Sequence, residues 1–273
     1  MWSPSSTDRW LLCPVRWVKQ QAGEPEAPRP WHPAMLVGTA LHAGWARYLD
    51  PTQAEKLLPG AKAAATRALV EEWPTVLGYS AGNWEMGTVE SLALTCLERV
   101  ALKYLPSLLD DRGEVWAVEL SLGPINPRTN RYDAGVVDLV TAHGPADARY
   151  IVVTDYKTHW TVASTSVTRY LSQTERSWQL HQYAYFVQQL YSLPVRYIRS
   201  VHVAVTPTPK TWIYPTPIAQ KRLDTWKGYA DSVWAQMDAQ AAGTCTPWPN
   251  WDACEKYGAA YRCGYYDTCH GGG

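Results

Sequence analysis

The sequence predicts an α/β fold: a run of helices, three antiparallel strands, a helix, a further strand and a last helix. Three observations predict it. The runs Val115-Trp116-Ala117-Val118-Glu119-Leu120, Gly135-Val136-Val137-Asp138-Leu139-Val140 and Tyr150-Ile151-Val152-Val153 are short and apolar, as strands are. They are separated by Asn126-Pro127-Arg128-Thr129-Asn130 and His143-Gly144-Pro145-Ala146-Asp147, both with turn chemistry. On either side, longer segments carry apolar residues at helical spacing.

Taken in order, Ser5, Ser6 and Thr7 offer caps for a short helix through Trp10, Leu11 and Leu12, which Pro14 interrupts or restarts. Residues 22–34, with Pro25, Pro28, Pro30 and Pro33, read as an extended loop. Helical patterns then cover Val37 to Leu49, about 60 to 75 and about 86 to 105. After the three strands, residues 172–191 place Leu180, Ala184, Val187 and Tyr191 on one face of an amphipathic helix. Val195 to Val205 reads as a strand, Thr211 to Tyr214 as a short one, and Ile218 to Gln240 as a helix. From Thr244 the tail is rich in Cys, Pro, Gly and aromatic residues, so residues 1–243 are expected to form the main domain and 244–273 an appendage held by ligands.

Composition sets the limits of function. The 273 residues carry a formal net charge of zero, so any contact with a polyanion must come from a local basic patch. Candidates are Arg169 with Arg176, and the stretch holding Arg196, Arg199, Lys210, Lys221, Arg222 and Lys227; the plain alternative for each is a solvated face. No apolar stretch is long enough to span a bilayer and the N-terminus lacks a basic segment followed by an apolar core, so a soluble, cytoplasmic protein without a membrane partner is expected.

Asp155 and Lys157, two apart on a strand, point to the same face. A hairpin turning between Ala146 and Asp147 sets Asp138 opposite Asp155, with Cβ atoms about 5 Å apart. Two carboxylates at that distance can share a divalent cation. A turn between Arg128 and Thr129 sets Glu119 opposite Asp138, and a slip of one residue would send one of these carboxylates to the other face. Asp138 lies inside an apolar run, where an unpaired carboxylate is costly. The structural alternative is a salt bridge from Asp138 or Asp155 to Lys157, and for Glu119 an ordinary strand acid.

Four segments now stand in sequence: Gly38-Thr39-Ala40-Leu41-His42 on an early helix, Asp138 in a strand, Asp155-Tyr156-Lys157, and Gln179-Leu180-His181-Gln182-Tyr183 on a later helix. In these the chain resembles the PD-(D/E)XK nuclease superfamily, more closely its RecB-like branch, which includes CRISPR-adaptation nucleases and phage exonucleases. The resemblance implies a restriction-endonuclease-like core, with a central mixed sheet flanked by helices and a helical N-terminal part. It implies Mg²⁺ or Mn²⁺ held by His42, Asp138, Asp155 and the Tyr156 backbone carbonyl, with Glu119 a further candidate ligand. Lys157, Gln179 and Tyr183, with Asp138 and Asp155, would carry the chemistry. Phosphodiester hydrolysis accounts for these residue types, because it needs a cation at the scissile phosphate and an in-line hydroxide equivalent. An imidazole ligand suits Mn²⁺ better than Mg²⁺. Gln179 and Tyr183, four apart on one helical face, could position the nucleic-acid backbone, with Arg176 on nearly the same face.

Cysteines occur at 13, 96, 245, 254, 263 and 269. Cys96 lies in a helical apolar stretch and is expected in the core. Cys254, Cys263 and Cys269 cluster in a loop-rich tail, which suits a metal or cluster better than disulfides in a reducing compartment. Many RecB-like nucleases similarly pair an N-terminal cysteine followed by proline, as Cys13-Pro14 is, with three C-terminal cysteines around a [4Fe-4S] cluster. The spacing between Cys254 and Cys263 is wider than the family's commoner pattern. Zn²⁺ on the same four thiolates is the alternative, and Cys245 could replace one ligand. His270 reads as a tail residue.

The resulting expectation is a metal-dependent DNA exonuclease acting on ends or single strands in recombination, repair, phage DNA processing or CRISPR adaptation, with a recombination or CRISPR-adaptation protein as partner. The other class is a non-catalytic nucleic-acid-binding or assembly subunit with a structural metal cluster. Paired acids beside Lys157 argue against it, because a binder has no need of them.

Overall fold

The computed structural model describes residues 11–24, 33–52, 58–76, 85–103, 113–123, 135–159, 172 and 174–247. The Asn126–Asn130 turn, Arg169, Cys254, Cys263, Cys269 and His270 lie outside the described residues. The chain divides into two compact units: Met1–Arg29, Pro124–Ala134 and Lys221–Gly273 form one, Pro30–Gly123 and Gly135–Gln220 the other.

The second unit holds the sheet. Its helices α2 (Pro33–Leu49), α3 (Leu58–Glu72) and α4 (Met86–Lys103) precede strands β1 (Glu114–Ser121), β2 (Val136–His143) and β3 (Tyr150–His159). Helix α5 (Trp178–Tyr191) then leads to β4 (Val195–Ala204) and β5 (Thr211–Pro217). The strands lie in the order β1-β2-β3-β4-β5, antiparallel except for β3 against β4. That one parallel pair follows from the intervening helix, since parallel neighbours need a long crossover. An α/β fold with a central mixed sheet is therefore observed, as the sequence predicts.

Among the element boundaries that differ from expectation, two have a local cause. Helix α2 starts at Pro33, inside the segment read as loop, because proline is preorganised for the first helical position. Residues 172 and 174–176 are helical as expected, but Ser177 breaks the run and caps α5 at Trp178: it is extended and its side chain accepts a hydrogen bond from the Leu180 amide at 3.2 Å.

The β2–β3 register pairs Leu139 with Thr154 and Tyr150 with His143, the register that the turn at Ala146 and Asp147 dictates. On the other side Val118 pairs with Leu139 and Leu120 with Val137, which brackets Glu119 against Asp138. The register shifts between Val115 and Ala117, so the predicted pairing holds only beyond Trp116.

One face of the sheet is dry. Leu36, Val37, Leu41 and Trp45 of α2 and Val89, Ala93 and Leu97 of α4 join Leu139, Tyr156, Val201 and Val203 in one buried cluster, with Cys96 in it as expected. Strand alternation sends Asp155 and Lys157 to the other face, where α5 packs on β3 and β4.

The first unit holds α1 (Pro14–Gln21) and nearly all of α6 (Gln220–Ala241). Cys13, the residue before α1, is buried. Along α6, Leu223, Trp226, Ala230, Val233, Trp234 and Met237 are buried at helical spacing. Among the described residues no helix is long and apolar enough to cross a membrane.

Candidate metal centre

Glycine decides how the first helix meets the sheet. A Cβ on Gly38 would stand 2.9 Å from Thr158 Oγ1, so only glycine lets α2 lie this close on β3. His42 is one turn further along α2, on the same face. Its ring meets Tyr156 edge-on at 5.9 Å between centroids, and Trp45 packs on Tyr156 at 4.5 Å. The apolar residue between Asp155 and Lys157 thus seats the helix that carries His42.

Asp138 occupies the seam where β2 leaves β3. The β2–β3 ladder runs to Leu139 and Thr154, and one position on, the Asp138 side chain replaces the backbone: its Oδ2 accepts from the Tyr156 amide at 2.6 Å. A carboxylate in the seam can be reached from α2. His42 Nδ1 lies 3.5 Å from Asp138 Oδ1 and 3.5 Å from Glu119 Oε1. One ligand atom from each of His42, Glu119 and Asp138 falls within 4.8 Å of the other two.

Glu119 reaches this cluster from a strained backbone. Its φ is +48°, a left-handed value unusual for a residue with a Cβ. Nothing in the sequence signalled this, since the run around Glu119 reads as ordinary strand.

Asp155 turns to the lysine. Its Oδ2 and Oδ1 lie 2.9 and 3.0 Å from Lys157 Nζ, so the ion pair raised as a structural alternative is present. Lys157 Nζ also donates to Gln179 Oε1 at 3.2 Å, and Gln179 Nε2 donates to Tyr183 Oη at 2.7 Å. Gln179 and Tyr183 therefore share one face of α5 and end on the lysine. Arg176 is exposed and precedes the Ser177 cap, so it lies outside α5. Arg199 leaves the candidate basic stretch for another reason. It is 8% exposed, so it offers little surface to a polyanion.

The electrostatics are those of a site short of positive charge. Burial, then the neighbouring Asp155, pushes Asp138 up to about 7, against the pull of His42 and the Tyr156 amide. Burial alone would lower His42, but the hydrogen bond with Glu119 and the charges of Asp138, Glu119 and Asp155 outweigh it and raise its pKa. Tyr183 is raised mainly by burial and stays a neutral phenol. A buried carboxyl such as Asp138 beside other acidic groups is what a divalent cation relieves, and an oxygen and imidazole donor set fits such an ion.

Beyond Lys157 on β3 stands a second polar group that the sequence did not disclose. His159 Nε2 and His202 Nδ1 are 2.7 Å apart with rings stacked at 4.9 Å, and His202 Nε2 is 3.0 Å from Ser200 Oγ. Ser200 Oγ in turn hydrogen-bonds Thr174 Oγ1. The only sequence signal was the continued alternation of Asp155, Lys157 and His159.

A family model described as the PD-(D/E)XK nuclease superfamily matches residues 1–270. Among solved structures, a protein from Eubacterium rectale provisionally named an exonuclease has a similar fold: TM-score 0.51, 10% identity, covering 93% of this chain and 86% of that one. No curated protein matches the sequence.

Proposed function

Because the chain belongs to the PD-(D/E)XK nuclease superfamily, we propose that it is a divalent-metal-dependent deoxyribonuclease of the RecB-like branch, acting on DNA ends or single strands. The observation that carries the reading is the convergence of His42, Glu119 and Asp138 from three separate elements beside the Asp155–Lys157 pair.

His42, Glu119, Asp138 and Asp155, with the Tyr156 carbonyl, would hold Mg²⁺ or Mn²⁺. Such a cation, when bound, supplies charge neutralisation at the scissile phosphate and lowers the pKa of water. The chain's own residues do the rest. Lys157, 45% exposed at its side chain, orients the attacking water and stabilises charge developing on the phosphate. Asp155 and Gln179 hold its ammonium group from two sides, and Tyr183 fixes Gln179.

The proposal extends to the chain ends: Cys13 with Cys254, Cys263 and Cys269 forms an iron–sulfur module, with Zn²⁺ as the alternative occupant. What supports it is the Cys13-Pro14 position, where the buried Cys13 leads into α1. A broad visible absorption band lost in Cys13→Ser supports iron; an unchanged spectrum and melting temperature in that variant remove Cys13 as a ligand.

The deciding experiment incubates end-labelled linear and closed circular DNA, single and double stranded, with Mn²⁺, Mg²⁺ or EDTA, comparing wild type with Asp155→Ala. Metal-dependent loss of linear DNA alone, absent in the variant, supports an exonuclease. Cutting of circles makes it an endonuclease. No cleavage with either metal overturns the reading.

A further inference from the structure

Resting on the reading above, we propose that the Tyr183 hydroxyl donates a hydrogen bond to a non-bridging oxygen of the phosphate that is cut, and that Gln179 aims it there. Hydrogen-bond direction decides this. An ammonium group only donates, so Gln179 Oε1, 3.2 Å from Lys157 Nζ, is the acceptor of that pair. The amide is thereby fixed end for end, and its Nε2 donates to Tyr183 Oη at 2.7 Å. Tyr183 Oη accepts from Gln179 and so keeps its own hydrogen for another partner. Among the described residues no group accepts that hydrogen.

Tyr183 is 3% exposed, and a donor so buried is costly until an acceptor arrives. The surroundings select the acceptor. Burial above all, and the charges of Asp155, Asp138 and Glu119, raise the Tyr183 pKa against the pull of the Gln179 hydrogen bond. The phenol therefore keeps its hydrogen while it stands within electrostatic reach of three acids, none of which is its hydrogen-bond partner. These are the acids proposed to gather a cation and, with it, the phosphate. Water near a cation presents its hydrogens outward and is a poor acceptor, whereas a phosphate oxygen is a charged one and makes the stronger bond. A donor already fixed in direction stabilises charge on that oxygen without reorganising as the reaction proceeds. Lys157 thus orients Gln179, and Gln179 orients the phenol.

The test titrates thymidine 5′-monophosphate and thymidine 3′-monophosphate, which carry a phosphate but no phosphodiester, into protein in saturating Mn²⁺, and pairs this calorimetry with single-turnover DNA cleavage. Tyr183→Phe is expected to bind the tighter nucleotide about tenfold more weakly than wild type and to cleave about 10- to 100-fold more slowly, as for loss of a hydrogen bond to a charged group. Its Mn²⁺ affinity without nucleotide should be unchanged. Were the phenol only a support for Gln179, Tyr183→Phe would change nothing in a Gln179→Ala background; direct donation predicts a loss there too.

Gln179→Glu keeps one oxygen for Lys157 and offers the other to the phenol, which turns the hydrogen inward. It should weaken nucleotide binding when Tyr183 is present and much less in the Tyr183→Phe background. Circular dichroism checks that every variant folds. The inference is overturned by wild-type-like nucleotide binding in Tyr183→Phe, by no binding of either nucleotide to wild type, or by equal losses from Gln179→Glu in both backgrounds, which belong to the added charge. A fall in Mn²⁺ affinity that matches the nucleotide loss of Tyr183→Phe overturns it in favour of water as the acceptor. In all these cases metal-dependent cleavage by the wild type leaves the function standing, whereas a wild type that cleaves no DNA with either metal overturns both.

Discussion

Asp138 Oδ2 accepts a hydrogen bond from the backbone amide of Tyr156 at 2.6 Å, so one acidic side chain continues the sheet where its own strand leaves it. The amide is satisfied, and the second oxygen of the same carboxylate faces His42. Structure and proposed ligation are thus coupled at one residue. Replacing Asp138 should affect both the seam and the metal.

The raised pKa of Asp138 gives a pH signature in metal-free protein. A carboxyl whose folded value is lifted from 3.8 to about 7 contributes stability that is full below the unfolded value and is lost as pH rises through the folded one. His42, also raised, acts in the same sense. In EDTA, Asp138→Asn should therefore melt higher than wild type near pH 8, with the difference vanishing near pH 4. Saturating Mn²⁺ should stabilise the wild type at pH 8 and the variant far less. A pH-independent difference in calorimetric melts would contradict this.

Lys157→Ala should lower cleavage by about 10²-fold or more while metal affinity changes little. Gln179→Ala, which removes one of the groups holding the ammonium and leaves Asp155, should cost about tenfold. Single-turnover cleavage paired with metal titration separates the two effects. Equal cleavage by Lys157→Ala and wild type would remove the lysine from the mechanism.

Gly38→Ala should cost about 1–3 kcal/mol through overpacking and weaken metal binding by displacing His42. Thr158→Ala removes the atom that a Cβ at position 38 would strike. The double variant should regain much of both losses, and a double-mutant cycle on melting and metal affinity reads the coupling. Strict additivity would place the cost of Gly38→Ala elsewhere.

Tyr156→Phe should be neutral or slightly stabilising, because the Tyr156 hydroxyl is buried without a hydrogen-bond partner among the described residues. Tyr156→Ala should cost about 3–5 kcal/mol, since the ring supports Trp45 and the helix carrying His42. Denaturant melts of the two variants check the order, and a Phe variant as unstable as Ala would show that the hydroxyl matters.

The sequence by itself determined the strands, their order to β3, and the alternation that puts Asp155 and Lys157 on one face. Turn residues at Gly144-Pro145 and a side-chain period of two are local properties, so the register that pairs Leu139 with Thr154 could be set from residue numbers alone. Helices were legible for the same reason, except where a single cap or proline moved an end, as Ser177 and Pro33 do. Only the tertiary structure decided which groups meet. His42 comes to Asp138 because Gly38 admits Thr158, Glu119 joins them through a left-handed backbone, and His159 meets His202 across a parallel pair. Each of these depends on contact between residues far apart in the chain, where packing distance rather than periodicity sets the geometry.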